Sequence, residues 1–225
     1  MTRYRMNAAL LILAIASIVL PAGITEEKPQ GPERWKSAIQ AFEQQDRESP
    51  PEKGGILFVG SSSIRMWDLN KHFPEHKPLN RGFGGSDVAD SVHFADRIVL
   101  PYEPRLIVMY AGDNDIAGGK TACEVHADFQ RFVGIVHHKL PEARIVYIAI
   151  KPSIKRWNLV HRMRAANALI FASCAEDDLL EFVDIDTPMI GKDGRPRPEL
   201  FVEDGLHLSP AGYALWSELV KPHLQ

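Results

Sequence analysis

The run Ile56-Leu57-Phe58-Val59-Gly60 constrains this chain more than any other stretch. Four consecutive apolar residues describe a short strand covered on both faces, as in a parallel sheet. Glycine then breaks the strand, and three hydroxyls follow, Ser61-Ser62-Ser63. Further strands are expected at 77–81 (a weak one), 105–111, 144–150 and 180–185. Between them, apolar residues recur at helical spacing over 33–47, 64–69, 87–98, 121–140 and 159–178. Ser209 before Pro210 predicts a capped last helix through Leu219. This alternation predicts an α/β fold, a mostly parallel sheet with helices on both faces.

The 225 residues suffice for one domain with a sizeable core, and no internal repeat or low-complexity segment divides them. A formal net charge of -3 argues against a nucleic-acid binder, which normally carries a basic surplus. Residues 1–23 differ in kind from the rest. Arg3 and Arg5 precede the apolar run Ala8–Leu20, and Pro21-Ala22-Gly23 closes it. That pattern predicts a secretory signal peptide, with a retained N-terminal anchor as the alternative. A span normally needs about 20 apolar residues, which favours the first reading. The expected location is therefore periplasmic or secreted, with membrane contact only if the segment is retained. Residues 24–32 read as a polar linker, and 33–225 as the domain. Cys123 and Cys174 fall near opposite ends of two crossover helices, offset by roughly 15–20 Å, too far for a bridge. Two free, mostly buried thiols are expected.

Four loops follow strands, and in a parallel sheet they share one edge, where open α/β folds place their chemistry. Gly60-Ser61-Ser62 brings a hydroxyl, Gly82–Ser86 a glycine-rich turn, Gly112-Asp113-Asn114 an amide, and Asp204–His207 a carboxylate and an imidazole. Singly, each has an ordinary role: a helix cap, a turn, an Asx turn, a surface pair. Together they supply what nucleophilic catalysis needs. A serine hydroxyl is a weak nucleophile without a base about 3 Å away. Asp204, three residues before His207, can fold back onto its Nδ1–H and fix the tautomer. Backbone N–H groups at a glycine turn can stabilise an oxyanion. The rate should then fall in acid as the imidazole protonates.

These blocks resemble those of the SGNH hydrolases, the GDSL-type esterases and lipases. They stand here as Phe58-Val59-Gly60-Ser61-Ser62-Ser63, Asn80-Arg81-Gly82-Phe83-Gly84-Gly85, Gly112-Asp113-Asn114-Asp115 and Asp204-Gly205-Leu206-His207-Leu208-Ser209-Pro210. The resemblance covers about residues 54–223. It implies a three-layer, flavodoxin-like fold with five parallel strands. It makes Ser62 the nucleophile and Asp204 and His207 its triad partners. The backbone N–H groups of Ser62 and Gly85 and the side-chain amide of Asn114 become the oxyanion hole. Ser61 stands where the family commonly has aspartate, so Ser62 is distinguished from its neighbours by register.

The expected activity is hydrolysis of carboxylic esters, with short acyl groups favoured because no lid-like apolar insertion is present. The partner is a small-molecule ester, an acetylated sugar or a lipid ester. No cofactor or metal is expected, since no step needs one and no zinc-ligand spacing stands out. The alternatives are a lysophospholipase-like enzyme, and a non-catalytic module, either a phosphate binder using the Gly60–Ser63 loop or a carbohydrate-binding protein. Trp35 and Trp216 are expected in the core, whereas Trp67 and Trp157 lie near the active edge and line either pocket or core. The basic stretch from Lys151 to Arg164 reads either as a solvated helix face or as a device favouring an anionic substrate.

Overall fold

The computed structural model describes residues 31–225. The leader expected at 1–23, and the linker as far as residue 30, lie outside the described residues. Gly31–Trp35 form a 3-10 turn rather than irregular linker. Pro32 is tolerated there, because first-turn N–H groups have no helical partner to lose.

The chain then runs α1 (Lys36–Glu48), β1 (Ile56–Gly60), α2 (Ser62–Arg65), α3 (Leu69–His72), β2 (Leu79–Gly82), α4 (Val88–His93), α5 (Ala95–Ile98) and β3 (Leu106–Tyr110). After it come α6 (Asp113–Ala117), α7 (Ala122–Lys139), β4 (Arg144–Ile148), α8 (Val160–Ala175), β5 (Leu180–Val183) and α9 (Pro210–Val220). All strand pairs are parallel, in the order β2-β1-β3-β4-β5. The five-stranded sheet and its two helical layers are those expected.

Alternation along the strands divides the core in two. Leu57, Val59, Ile107, Met109, Ile145 and Tyr147 pack on one face against Ile39 of α1, Phe129 and Phe132 of α7, and Ile170 of α8. Phe58, Val108, Tyr110, Val146 and Ile148 pack on the other against Trp67, Phe73 and Trp216 of α9. Both faces of the sheet are dry, which is why the strands read as unbroken apolar runs.

The single helix expected over 64–69 is instead two short ones. Trp67 sits between them, buried against Phe58, Phe73 and Trp216, and Asp68 caps α3 through the N–H of Lys71. The thiols are free as expected, but Cys123 is exposed rather than buried. It lies in the first turn of α7, where Val125 and Phe129 take the core-facing positions. Cys174 is half-buried, and desolvation pushes its thiol up to about 12.

Candidate active site

The order of strands reverses at β1, whose neighbours β2 and β3 follow it in opposite directions across the sheet. Such a reversal opens a crevice at the C-terminal strand ends. Gly60, the last residue of β1, has φ +137°, and a Cβ there would lie 1.9 Å from the carbonyl oxygen of Tyr110. Only glycine lets the two strands stay paired while the chain turns away. The N–H of Ser61 donates to that same carbonyl at 3.0 Å, and α2 starts at Ser62.

Three adjacent serines thereby receive different environments. Ser61 and Ser63 are buried, and only Ser62 opens onto the cleft. The turn is braced from two sides. Asn80 donates to the Ile64 carbonyl at 2.8 Å and accepts from the Gly82 N–H at 2.9 Å. The Tyr213 hydroxyl donates to the Ser63 carbonyl at 3.0 Å.

His207 faces Ser62 across the cleft, with Nε2 3.2 Å from Oγ and Nδ1 2.6 Å from Asp204 Oδ2. The other carboxylate oxygen of Asp204 accepts the N–H groups of Leu206 (2.8 Å) and His207 (2.9 Å). Partial burial acts to raise the Asp204 pKa, but the bonds from His207 and Leu206 outweigh it and hold the carboxyl well below its usual range. It therefore stays an anion through the mildly acid range.

Gly85 has φ +79° and lines the same cleft as Ser62 and His207. Asn114 joins them there from the start of α6. Its Nδ2 donates to the Ser86 carbonyl at 3.0 Å, and its Oδ1 accepts from Arg156. All five residues expected from the sequence, Ser62, Gly85, Asn114, Asp204 and His207, are therefore adjacent.

The cleft, about 670 Å³, has an apolar wall of Trp35, Ala38, Ala41, Phe42 and Phe83. A profile of the GDSL-like lipase/acylhydrolase family matches residues 61–215 of the chain. The chain belongs to this family. It is 28% identical over 191 residues to the platelet-activating factor acetylhydrolase IB subunit alpha1 of Bos taurus, covering 82% of this chain and 79% of that one. The alpha2 subunit of Rattus norvegicus is 27% identical over 203 residues, covering 86% of each. The fold is similar to that of a GDSL-like lipase from Bacteroides thetaiotaomicron, with a TM-score of 0.69 at 18% identity over 86% of this chain and 96% of that one. An acetylxylan esterase from Geobacillus stearothermophilus gives a TM-score of 0.61 at 15% identity, covering 77% and 95%. This GDSL-type acylhydrolase is thus an ester hydrolase, and the non-catalytic alternative falls.

Of the two readings open for Trp67, core is the one that holds. Trp35 packs on the core only in part and also forms a wall of the cleft. A Cβ on Gly85 would lie 3.2 Å from the Trp35 ring. Its indole Nε1 donates to Asp90 at 2.9 Å, and Arg34 lies over the ring, 4.9 Å from its centroid. Trp157 carries Arg164 and Arg195 over its ring and is absent from the cleft wall. The basic stretch, too, is neither a solvated face nor an open anion site at its start. Lys151 is 2% exposed and pairs with Asp113 at 2.8 Å. Arg156 reaches the other Asp113 oxygen at 2.6 Å. Farther along, Arg164 pairs with Asp186, and Arg162 donates to the carbonyls of Gly119 and Lys120. Sequence reasoning gave Trp35 and Asp113 no role in the site, and it brought Lys151 and Arg156 to the active edge only as members of a basic stretch.

Proposed function

We propose that this acylhydrolase cleaves short-acyl, chiefly acetyl, esters through Ser62, His207 and Asp204. The continuous line from Ser62 Oγ to His207 Nε2 and from Nδ1 to Asp204 carries the reading. His207 takes the hydroxyl proton as Ser62 attacks the ester carbonyl. The negative oxygen of the tetrahedral intermediate is received by the N–H groups of Ser62 and Gly85 and by Nδ2 of Asn114. Each such donor is worth roughly 3 kcal/mol when deleted. His207 then gives its proton to the departing alcohol, and the acyl group rests on Ser62. A water activated by the same imidazole completes the cycle.

The acyl preference rests on Trp35. Its ring stands against Gly85, so an acyl chain extending past the oxyanion turn meets a wall held by Asp90. The names of the relatives and of the fold neighbours, acetylhydrolase and acetylxylan esterase, agree with an acetyl group. On the far side of His207 lies a second hollow of about 400 Å³, and the alcohol, protonated by that imidazole, departs toward it. Met66 and Val202 are exposed there. This favours an alcohol with an apolar segment, the lipid-ester reading, over a bare sugar.

Fluorophosphonate labelling of the folded protein should give one adduct, on Ser62, and Ser62→Ala should lower turnover of p-nitrophenyl acetate by about 10⁴-fold or more. A Ser62→Ala enzyme that keeps most of its activity overturns the assignment. An acetyl ester of a long-chain alcohol should then be a better substrate than an acetylated xylo-oligosaccharide. Export is proposed on Arg3, Arg5 and the run Ala8–Leu20 alone. Finding the full-length chain in the cytoplasmic fraction counts against it.

A further inference from the structure

We infer that Arg156, which lines the cleft beside Asn114, is a positioning residue for the oxyanion hole, setting and polarising the Asn114 amide and anchored in turn by the buried Asp113–Lys151 pair. The inference rests on Asn114 being an oxyanion donor, as proposed above.

An asparagine side chain at the edge of a cleft has two orientations that differ by a flip, and only one presents N–H to an oxyanion. Here the flip is decided by chemistry. Arg156 Nη1 and Nη2 lie 3.1 and 3.2 Å from one terminal atom of Asn114. Guanidinium has donors and no acceptor, so that atom is the oxygen. The nitrogen is therefore on the other side, where one of its two hydrogens is bound by the Ser86 carbonyl. The second hydrogen is left for a ligand. A cation on Oδ1 also draws electron density from the amide, which makes Nδ2–H a stronger donor.

Arg156 is itself held. Its Nη1 donates to Asp113 Oδ1 at 2.6 Å. Asp113 Oδ2 accepts from Lys151 Nζ at 2.8 Å, and Lys151 also reaches the Tyr110 hydroxyl at 3.0 Å. Burial acts to raise the Asp113 pKa, but the two cations outweigh it and the carboxyl is held below its usual range. Burial likewise opposes charge on Lys151, and Asp113 with Tyr110 outweighs it, so the ammonium persists. Two cations face one carboxylate, so the cluster beside Asn114 carries a net positive charge, and Arg156 brings that charge onto Oδ1.

The same loop holds the opposite half of the site. Lys155, next to Arg156, donates its backbone N–H to the carbonyl of Gly205 at 3.0 Å, between Asp204 and His207. One segment after β4 thus spaces the amide that receives the oxyanion from the turn that carries the imidazole. Misplacement by about 1 Å can cost roughly 100-fold in rate without touching the chemistry.

A double-mutant cycle on p-nitrophenyl acetate tests this. Asn114→Ala should lower kcat by about 10²- to 10³-fold. Arg156→Ala should lower kcat by about 10- to 100-fold, with KM changed less than about twofold, because the interaction is made in the transition state. The decisive result is the double variant, which should be no slower than Asn114→Ala alone. Arg156→Lys should recover part of the loss, since it keeps the charge and loses the fork on Oδ1. It also serves if Arg156→Ala does not fold. If the Arg156 and Asn114 losses multiply, or if Arg156→Ala and Arg156→Lys both retain full kcat while Asn114→Ala does not, the inference is overturned and the oxyanion reading stands. If Asn114→Ala itself keeps full kcat, the oxyanion assignment of Asn114 fails, and this inference with it.

Discussion

Two charge pairs sit at the same edge of the sheet and have opposite characters. Asp204 and His207 are three residues apart, with side chains 38% and 30% exposed. Lys151 and Asp113 are 38 residues apart, with side chains 2% and 6% exposed. The first pair is bathed in water, so breaking it leaves solvated groups and costs the fold little. The second pair is dry. Its members were desolvated on folding, and each is tolerable only while the other is present. Exposure thus separates a pair that performs chemistry from a pair that builds the ground on which the chemistry stands. Two point changes should separate them in opposite directions.

Asp204→Asn has the larger expected effect. Asparagine keeps an Oδ1 to accept the Leu206 and His207 N–H groups, so the turn survives. It removes the anion that fixes the imidazole tautomer, and kcat should fall by about 10⁴-fold. The melting temperature should hold within about 2 °C. Lys151→Met reverses the pattern. It leaves Asp113 buried with Arg156 as its one remaining cation, at a cost of roughly 3–5 kcal/mol, or about 10 °C in melting temperature. Lys151→Met with Asp113→Asn should recover part of that loss. Calorimetry and kcat on the three variants check the contrast, and an Asp204→Asn protein that melts far below the wild type breaks it.

The same contrast explains what the sequence shows. Ser62, Gly85, Asn114, Asp204 and His207 each lie in a short block whose residues contact one another locally, as Asp204 does with Leu206 and His207. Parallel topology then brings the blocks to one edge, so reading the strands was enough to assemble them. The Lys151 pairing has no local trace. Nothing within 151–164 marks Lys151 as buried and Arg164 as exposed, because partners 38 and 22 residues away decide both. Trp35 was legible only in part, for a related reason. Helical spacing places it on the inward side of the first helical segment, where it ends the 3-10 turn before α1, and the cleft and the core share that side. Helical spacing left Trp67 open between pocket and core, and the break between α2 and α3 turns it inward against Phe58 and Trp216.

Trp35 lies between the two pairs in character, half-exposed to the cleft and tied by its indole to the buried carboxylate of Asp90. Trp35→Ala should leave kcat on acetyl esters within about threefold and raise kcat/KM for hexanoyl over acetyl esters by about 10-fold or more, the scale for opening an apolar pocket. A chain-length series of p-nitrophenyl esters reads this directly. An unchanged preference returns Trp35 to a purely structural role.

The smallest expected effect is on stability as pH falls from 8 to 5, and it tests the comparison without a mutation. Asp113 and Asp204 both have carboxyls held below the usual range. A depressed carboxyl adds stability above its unfolded pKa and loses it as pH falls through the folded value. Both folded values lie below this window, so neither carboxyl changes stability within it. Lys151 is shifted upward, so its contribution is full below the ordinary lysine value and lost only in strong alkali. Asp87 runs the other way. Desolvation and the neighbouring Asp115 push it up to about 6, so protonation there adds slightly to stability as pH falls. The melting temperature should therefore move by no more than about 3 °C across this window. A larger fall means that acid is dismantling the buried cluster, and the separation between the two pairs is lost.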